Sequence, residues 1–194
     1  MKKILLTLCA LLAMPSISLA GLDLSRISAG GSLGYAMPTG TFRDDYKGSA
    51  ALGLHGEYKI EEAVSAGMEI GYNFSYGMKD ASKTSAGLSD GLTKIWQFTP
   101  YAKVQHSFDM SGKKATAYGL FGAGLYNLKT ELTSNGNTST DSQSKFGWNV
   151  GGGLALDVAP QWSFGLDLRF HSINTTTNHT NYFTPSLRTS YRFK

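Results

Sequence analysis

The stretch VSAGMEIGYNFSY, residues 64–76, decides how this chain is read. Val64, Ala66, Met68, Ile70, Tyr72, Phe74 and Tyr76 fall on every second position, with Ser65, Gly67, Glu69, Gly71, Asn73 and Ser75 between them. Successive strand side chains point to opposite faces, whereas a helix would scatter this polar set around its circumference. The segment is therefore a strand with one greasy face and one small, polar face.

The same alternation returns in seven more segments. They are marked by Leu33-Tyr35-Met37, Leu52 to Ile60, Trp96 to Phe108, Tyr118 to Leu128, Phe146 to Val158, Trp162 to Phe170, and Phe183 to Phe193. Three connections are tight: Glu61-Glu62, Asp109 to Lys113, and Ala159-Pro160-Gln161. Four are long and polar: Pro38 to Gly48, Gly77 to Thr93, Thr130 to Lys145, and Ser172 to Asn181. Of these, Thr130 to Lys145 is nearly low-complexity and is expected to be mobile. Short turns on one side and long loops on the other describe an eight-stranded antiparallel up-and-down transmembrane β-barrel, with both termini on the short-turn, periplasmic side. Pro100 and Pro185 each remove a ladder hydrogen bond, so a bulge or a strand end rising above the bilayer is expected at each.

Composition agrees with this reading. Apolar residues are 41%, charged residues 16% and aromatics 12%, with 23 glycines, which excludes a highly charged disordered chain. The leader MKKILLTLCALLAMPSISLA places Lys2 and Lys3 before an apolar run and ends in Ser18-Leu19-Ala20, a small-x-small cleavage pattern. Residues 1–20 are accordingly expected to be a cleaved signal peptide and residues 21–194 the barrel. The only cysteine, Cys9, lies in that leader, so the mature chain needs no disulfide. Losing Lys2 and Lys3 lowers a formal charge of +4 by two, leaving too little to argue for nucleic acid.

The direction of the apolar face follows from volume. An eight-stranded barrel has an interior just wide enough for side chains or one small ligand, and the aromatics alone carry about 150–250 Å² each. The greasy set must face outward, into lipid. Its aromatics also sort by depth. Tyr35, Phe74, Tyr76, Trp96, Phe98, Tyr126, Phe146, Trp148, Phe170, Tyr182 and Phe183 mark the long-loop end, and Tyr58, Phe108, Tyr118, Trp162, Phe164, Tyr191 and Phe193 the short-turn end. Two such rings around an aliphatic band are the girdles of a membrane barrel.

The pattern resembles the small outer-membrane barrels of Gram-negative bacteria, of the OmpA transmembrane-domain, OmpX and Opa type. That resemblance implies an assembly signal at Tyr191-Arg192-Phe193, read by the barrel assembly machinery through Tyr191 and Phe193. Lys194 after the last aromatic, and Arg188 where the family usually has glycine, depart from the family pattern.

The inward phase carries Glu57, Lys59, Glu69, Lys103, Asp157, Asp167, Arg169, Arg188 and Arg192. Unpaired buried charges are costly, so these are expected to form a lumen charge network with Glu69 as hub and Lys103, Arg169 or Arg188 as partners. Ile95, Phe121 and Leu125 are also read as inward, a hint of an apolar trough. Lys47, Lys79, Lys83, Lys94, Lys129 and Lys145 cluster at the long-loop ends, where lipopolysaccharide phosphates could meet them as point charges.

No catalytic, cofactor or metal site is expected. His171 and Ser172 are adjacent and so point to opposite faces, which argues against the His-x-Ser arrangement of lipid A esterases. His55, His106 and His179 are scattered, without metal-ligand spacing. The expected function is envelope structure or surface interaction (adhesion) through long extracellular loops, with outer-membrane lipid, lipopolysaccharide and a surface ligand as partners. A small-solute or hydrophobic-compound channel of OmpW-like type remains open, and a lipid A-modifying esterase is a further alternative.

Overall fold

The computed structural model describes residues 23–175 and 179–194, so the expected leader lies outside the described residues. After a 3-10 turn at Leu24–Arg26 come β1 (Ile27–Thr39), α1 (Thr41–Asp45), β2 (Ser49–Lys59), β3 (Val64–Gly77), α2 (Asp80–Ala86), β4 (Asp90–Met110), β5 (Lys113–Ser134), β6 (Asn137–Ala159), β7 (Trp162–Asn174) and β8 (His179–Arg192). Each strand pairs antiparallel with the next, and β1 pairs with β8, closing the barrel. Closure leaves the ring without a free edge. Ser28 is the register partner of Arg192, so the two chain ends meet on the short-turn side.

The exterior is a belt of exposed apolar side chains. Leu54 is 68% exposed, Leu187 64% and Leu166 62%. Phe74, Trp96 and Phe146 are exposed towards the long-loop end, and Trp162, Phe164 and Phe193 towards the short-turn end. A contiguous apolar surface of this extent is unfavourable in water and suits hydrocarbon.

Two prolines behave otherwise than expected. Pro100 pairs with Met68 and Pro185 with Leu168, both in unbroken register. Each only interrupts the ladder on its other side, where Phe98↔Leu125 is followed by Tyr101↔Gly122, and Gly34↔Ser186 by Met37↔Phe183. The register shifts fall elsewhere, between Asn73 and Tyr76 and between Asp157 and Ala159. The first adds one residue to β3 and turns Tyr76 from the outer face to the interior, where it is wholly buried.

Strand β5 runs in the opposite phase to the expected one. Ala102 pairs with Phe121 and Phe98 with Leu125, and Phe121 and Leu125 are exposed on the outer face. Leu120 and Tyr126 are buried inside. Both faces of β5 are apolar, so alternation alone could not set its phase; pairing with β4 does. Of the expected apolar trough only Ile95 remains inside.

The segment expected to be mobile is ordered. β5 and β6 continue in register to Ser134↔Asn137, closed by Asn135-Gly136 with φ of 49° and 79°. Positive φ at both central residues is the two-residue hairpin turn that suits the right-handed strand twist, and Asn-Gly is its preferred sequence. Together with the upper end of β4, paired as far as Asp90↔Thr133, they form a three-stranded ribbon.

Candidate functional site

The interior is layered along the barrel axis, and its centre is ionic. Glu69 projects inward from β3, Asp167 and Arg169 from β7, and Arg188 from β8, each at most 8% exposed. Arg169 Nη1 lies 2.8 Å from Glu69 Oε1, and its Nη2 lies 2.8 Å from Asp167 Oδ2. Arg188 Nη1 reaches Glu69 Oε2 at 3.2 Å and Asp167 Oδ2 at 3.4 Å. Arg188 Nη2 donates to the Tyr101 hydroxyl at 3.0 Å, which donates to Glu57 Oε2 at 3.1 Å. Glu57 Oε1 completes an ion pair with Lys103 Nζ at 2.5 Å. Three carboxylates thus face three cations, and the cluster is neutral. Unpaired ions at such burial would cost several kcal/mol each.

This crowding uses glycine on the neighbouring strands. A Cβ on Gly67 would lie 2.5 Å from Tyr101 Cζ, and one on Gly151 would lie 2.8 Å from Arg169 Cγ. Only bare backbone lets the Tyr101 ring and the Arg169 stem lie flat on the wall.

Above the ionic layer, towards the long-loop end, aromatic side chains close the bore. Tyr182 donates to Gln97 Oε1 at 3.0 Å, and Gln97 Nε2 donates to Glu69 Oε1 at 3.2 Å, which ties the two layers together. The His171 ring stacks on Tyr182 with centroids 4.4 Å apart. The Tyr126 hydroxyl accepts from Asn149 Nδ2 and lies 3.1 Å from His171 Nδ1. Tyr76, Ile95, Ile173, Ala36 and Ala51 join Tyr126 and Tyr182 in one buried cluster, and Phe42 and Tyr46 pack onto it. Phe42 comes from α1, so a loop helix seats the lid. A small cavity of about 30 Å³ separates this cap from Glu69 and Arg169. Below the ionic layer a larger polar cavity of about 170 Å³ lies on the chain-end side.

The nine charges expected to form one network divide. Glu57, Glu69, Lys103, Asp167, Arg169 and Arg188 join the central cluster. Glu69 is bound by Arg169 and Arg188, whereas Lys103 goes to Glu57. Asp157 and Arg192 form a separate pair at 3.4 Å near the rim, and Lys59 lines the lower cavity without an ion pair among the described residues. The register explains the division, because Lys59 is level with Ser65 while Glu69 stands several residues deeper.

Beyond the charges expected there, Tyr101, Gln97, Asn149 and the tyrosines Tyr76, Tyr118, Tyr126 and Tyr182 also face the lumen. For Tyr101, the inward phase it shares with Lys103 was the available signal. Four of these tyrosines, expected in the girdles, are buried or line the lumen instead.

The loop-end lysines mostly contact acidic neighbours. Lys83 Nζ is 2.8 Å from Asp80, and Lys47 is 3.9 Å from the same carboxylate. Lys94 and Lys129 share Glu131 at 3.3 and 2.8 Å. Lys79 donates to the Arg43 carbonyl, and Lys145 pairs in register with the inward Tyr126. At the other end Tyr191 packs edge-on against Trp162 and Phe193, with centroids 5.0 and 5.3 Å away. Among the described residues no helix is long and apolar enough to cross a membrane, which leaves crossing to the strands.

The geometry agrees with what the chain is similar to. OprG from Pseudomonas aeruginosa superposes with a TM-score of 0.54 at 17% identity, covering 86% of this chain and 95% of that one. Neisserial surface protein A gives 0.53 at 15% identity, covering 86% and 97%. Ail of Yersinia pestis gives 0.52 at 20%, covering 86% and 96%. No curated protein sequence matches. Residues 5–193 match the family described as outer membrane protein beta-barrel domain. The chain therefore belongs to that family and is a protein of the bacterial outer membrane.

Proposed function

We propose that this barrel is a sealed, non-enzymatic base in the outer membrane that presents an extracellular ribbon for surface interaction. The ribbon carries the reading. The last β6 pair with β7 is Gly147↔Ile173, so residues 137–146 keep one edge unpaired among the described residues. That edge extends roughly 30 Å at about 3.4 Å per residue. It is polar, rich in Ser and Thr, and offers backbone donors and acceptors to an added strand. The ionic and aromatic layers support a structural lumen over a conducting one. With Phe121 and Leu125 on the outer face, an apolar path through the lumen loses its support.

Residues 1–20 act as a cleaved leader, and residues 21–194 form the barrel domain with both ends periplasmic. Tyr191 and Phe193 present the assembly signal to the barrel assembly machinery. Lys47, Lys79, Lys83, Lys94, Lys129 and Lys145 contact lipopolysaccharide phosphates around the rim. One fold relative, Ail, has been solved with the heparin analogue sucrose octasulfate, which makes heparin a reasonable first probe for this surface.

Replacing residues 131–142 by a two-residue turn tests the ribbon. Intact cells should lose heparin or matrix-protein binding while heat-modifiable gel mobility of the barrel is kept. Binding that survives the deletion in an assembled barrel would contradict the reading.

A further inference from the structure

The polar cavity of about 170 Å³ on the chain-end side of the ionic layer is asymmetric in charge. Its wall carries Arg26, Lys59, Lys103, Lys114, Arg188 and Arg192 against two carboxylates, Glu57 and Asp157. Lys103 is matched by Glu57, Arg192 by Asp157, and Arg188 by the deeper Glu69 and Asp167. Arg26 is held at the mouth by Asp23 and the Ile60 carbonyl. The side chains of Lys59 and Lys114 make no ion pair or hydrogen bond among the described residues; register turns both inward from β2 and β5, Lys59 partly buried and Lys114 exposed at the mouth. Two cations are left over in a cup whose low-dielectric wall concentrates their field.

A second feature of the same cup points to a ligand. Ser65 is wholly buried on its wall, and its hydroxyl has no protein partner. The Tyr118 hydroxyl, also on the wall and shut off from solvent, has none either. Buried hydroxyls are normally hydrogen-bonded, and both can donate. Two uncompensated ammonium groups and two free hydroxyl donors, with Ser65 level with Lys59 and Tyr118 deeper along β5 than Lys114, suit an oxyanion with several acceptor atoms. A single carboxylate would use fewer of these donors. At roughly 30 Å³ per water, the space admits a small anion with part of its hydration.

We propose that this cup is a phosphate-class anion site, reached from the chain-end side and held by Lys59 and Lys114, with Ser65 and Tyr118 as hydroxyl donors. It is independent of the ribbon and requires only that the lumen be closed above it. The anion is a phosphate group, carried either by a small solute or by a phospholipid headgroup from the adjacent leaflet.

The test uses the full barrel in a maltoside detergent, titrated calorimetrically with inorganic phosphate at low ionic strength. The wild type should bind saturably at one site. Lys59→Gln with Lys114→Gln should weaken binding at least tenfold, while Arg43→Gln, at the opposite end, should leave it unchanged. Absence of saturable binding, equal affinity in the double variant, or loss in the Arg43 variant would overturn the proposal. Should the double variant lose its heat-modifiable mobility, the wild type decides through amine-reactive labelling read by mass spectrometry. Phosphate should slow modification of Lys59 and Lys114 but not of Lys113 at the start of β5, and equal rates with and without phosphate would overturn the site. A short-chain phosphatidylglycerol that displaces inorganic phosphate assigns the site to a headgroup. Failure to displace assigns it to a free solute.

Discussion

Arg169 of β7 and Glu69 of β3 meet inside the barrel, Nη1 to Oε1 at 2.8 Å, joining strands that are not neighbours in the sheet. Backbone ladders bind only adjacent strands, so this pair and its Arg188 partner brace the cylinder across its bore. Removing one member of a buried pair leaves the others uncompensated, at about 3–5 kcal/mol. Glu69→Ala should lower the urea midpoint of the barrel in lipid vesicles by a corresponding amount. An unchanged midpoint would show that Arg169 and Arg188 are satisfied without Glu69.

The wall beneath Tyr101 should be equally intolerant. A methyl on Gly67 would press on Tyr101 Cζ at 2.5 Å, and overpacking of this kind costs about 1–3 kcal/mol. Gly67→Ala should therefore destabilise the barrel, and Gly67→Ala with Tyr101→Phe should recover only the part of the clash made with the hydroxyl at 2.6 Å, since the ring carbon remains. Recovery with Tyr101→Ala would localise the strain to that ring. Equal stability of wild type and Gly67→Ala would show that the wall is looser than its geometry.

The outer belt has its own test. Leu54 lies midway along β2 and is 68% exposed. A lysine facing lipid near the midplane costs about 2–4 kcal/mol, so Leu54→Lys should lower the unfolding midpoint in vesicles. A neutral result would mean that this face does not meet hydrocarbon.

Much of this architecture is legible in the sequence, and the exceptions have separate physical causes. Phase was legible in β3, β6 and β7, where one face is apolar and the other small or charged. It was not legible in β5, where Phe121 and Leu125 compete with Tyr118, Leu120 and Tyr126, and a one-residue slip exchanges faces. The extra residue before Tyr76 left no mark in the alternation, yet it moved a girdle tyrosine into the lid. The ordered ribbon did carry a signal, Asn135-Gly136, which the Ser/Thr-rich composition around it obscured. Glu69 could be picked out as a hub because it stands alone on the polar face of its strand. Its connection through Gln97 to Tyr182 depends on closure and could not be read locally.

The exposed helix α2 supplies a pH dependence. The hydrogen bond from Lys83, then its charge and that of Lys47, hold the Asp80 carboxyl below its usual range. The same hydrogen bond holds the Lys83 ammonium above its usual range. A carboxyl depressed in the folded state contributes stability above its unfolded value of about 3.9, and that contribution is lost as pH falls through the folded value. The ammonium contributes below about 10.4 and loses its contribution as pH rises through its raised value. Carbon chemical shifts of residues 80–86 should hold steady between these limits and move towards coil values beyond them. Asp80→Asn should abolish the acid transition. A wild-type helix unchanged to pH 2 would contradict the assignment.

Single-channel recording of the purified barrel in planar bilayers tests the central claim, a lumen closed by two stacked layers. The wild type should show no steady unitary current. Glu69→Ala or Tyr182→Ala alone should remain closed, because each leaves the other layer standing, whereas the double variant should conduct. A large, steady conductance from the wild-type monomer would contradict the sealed lumen and the function built on it.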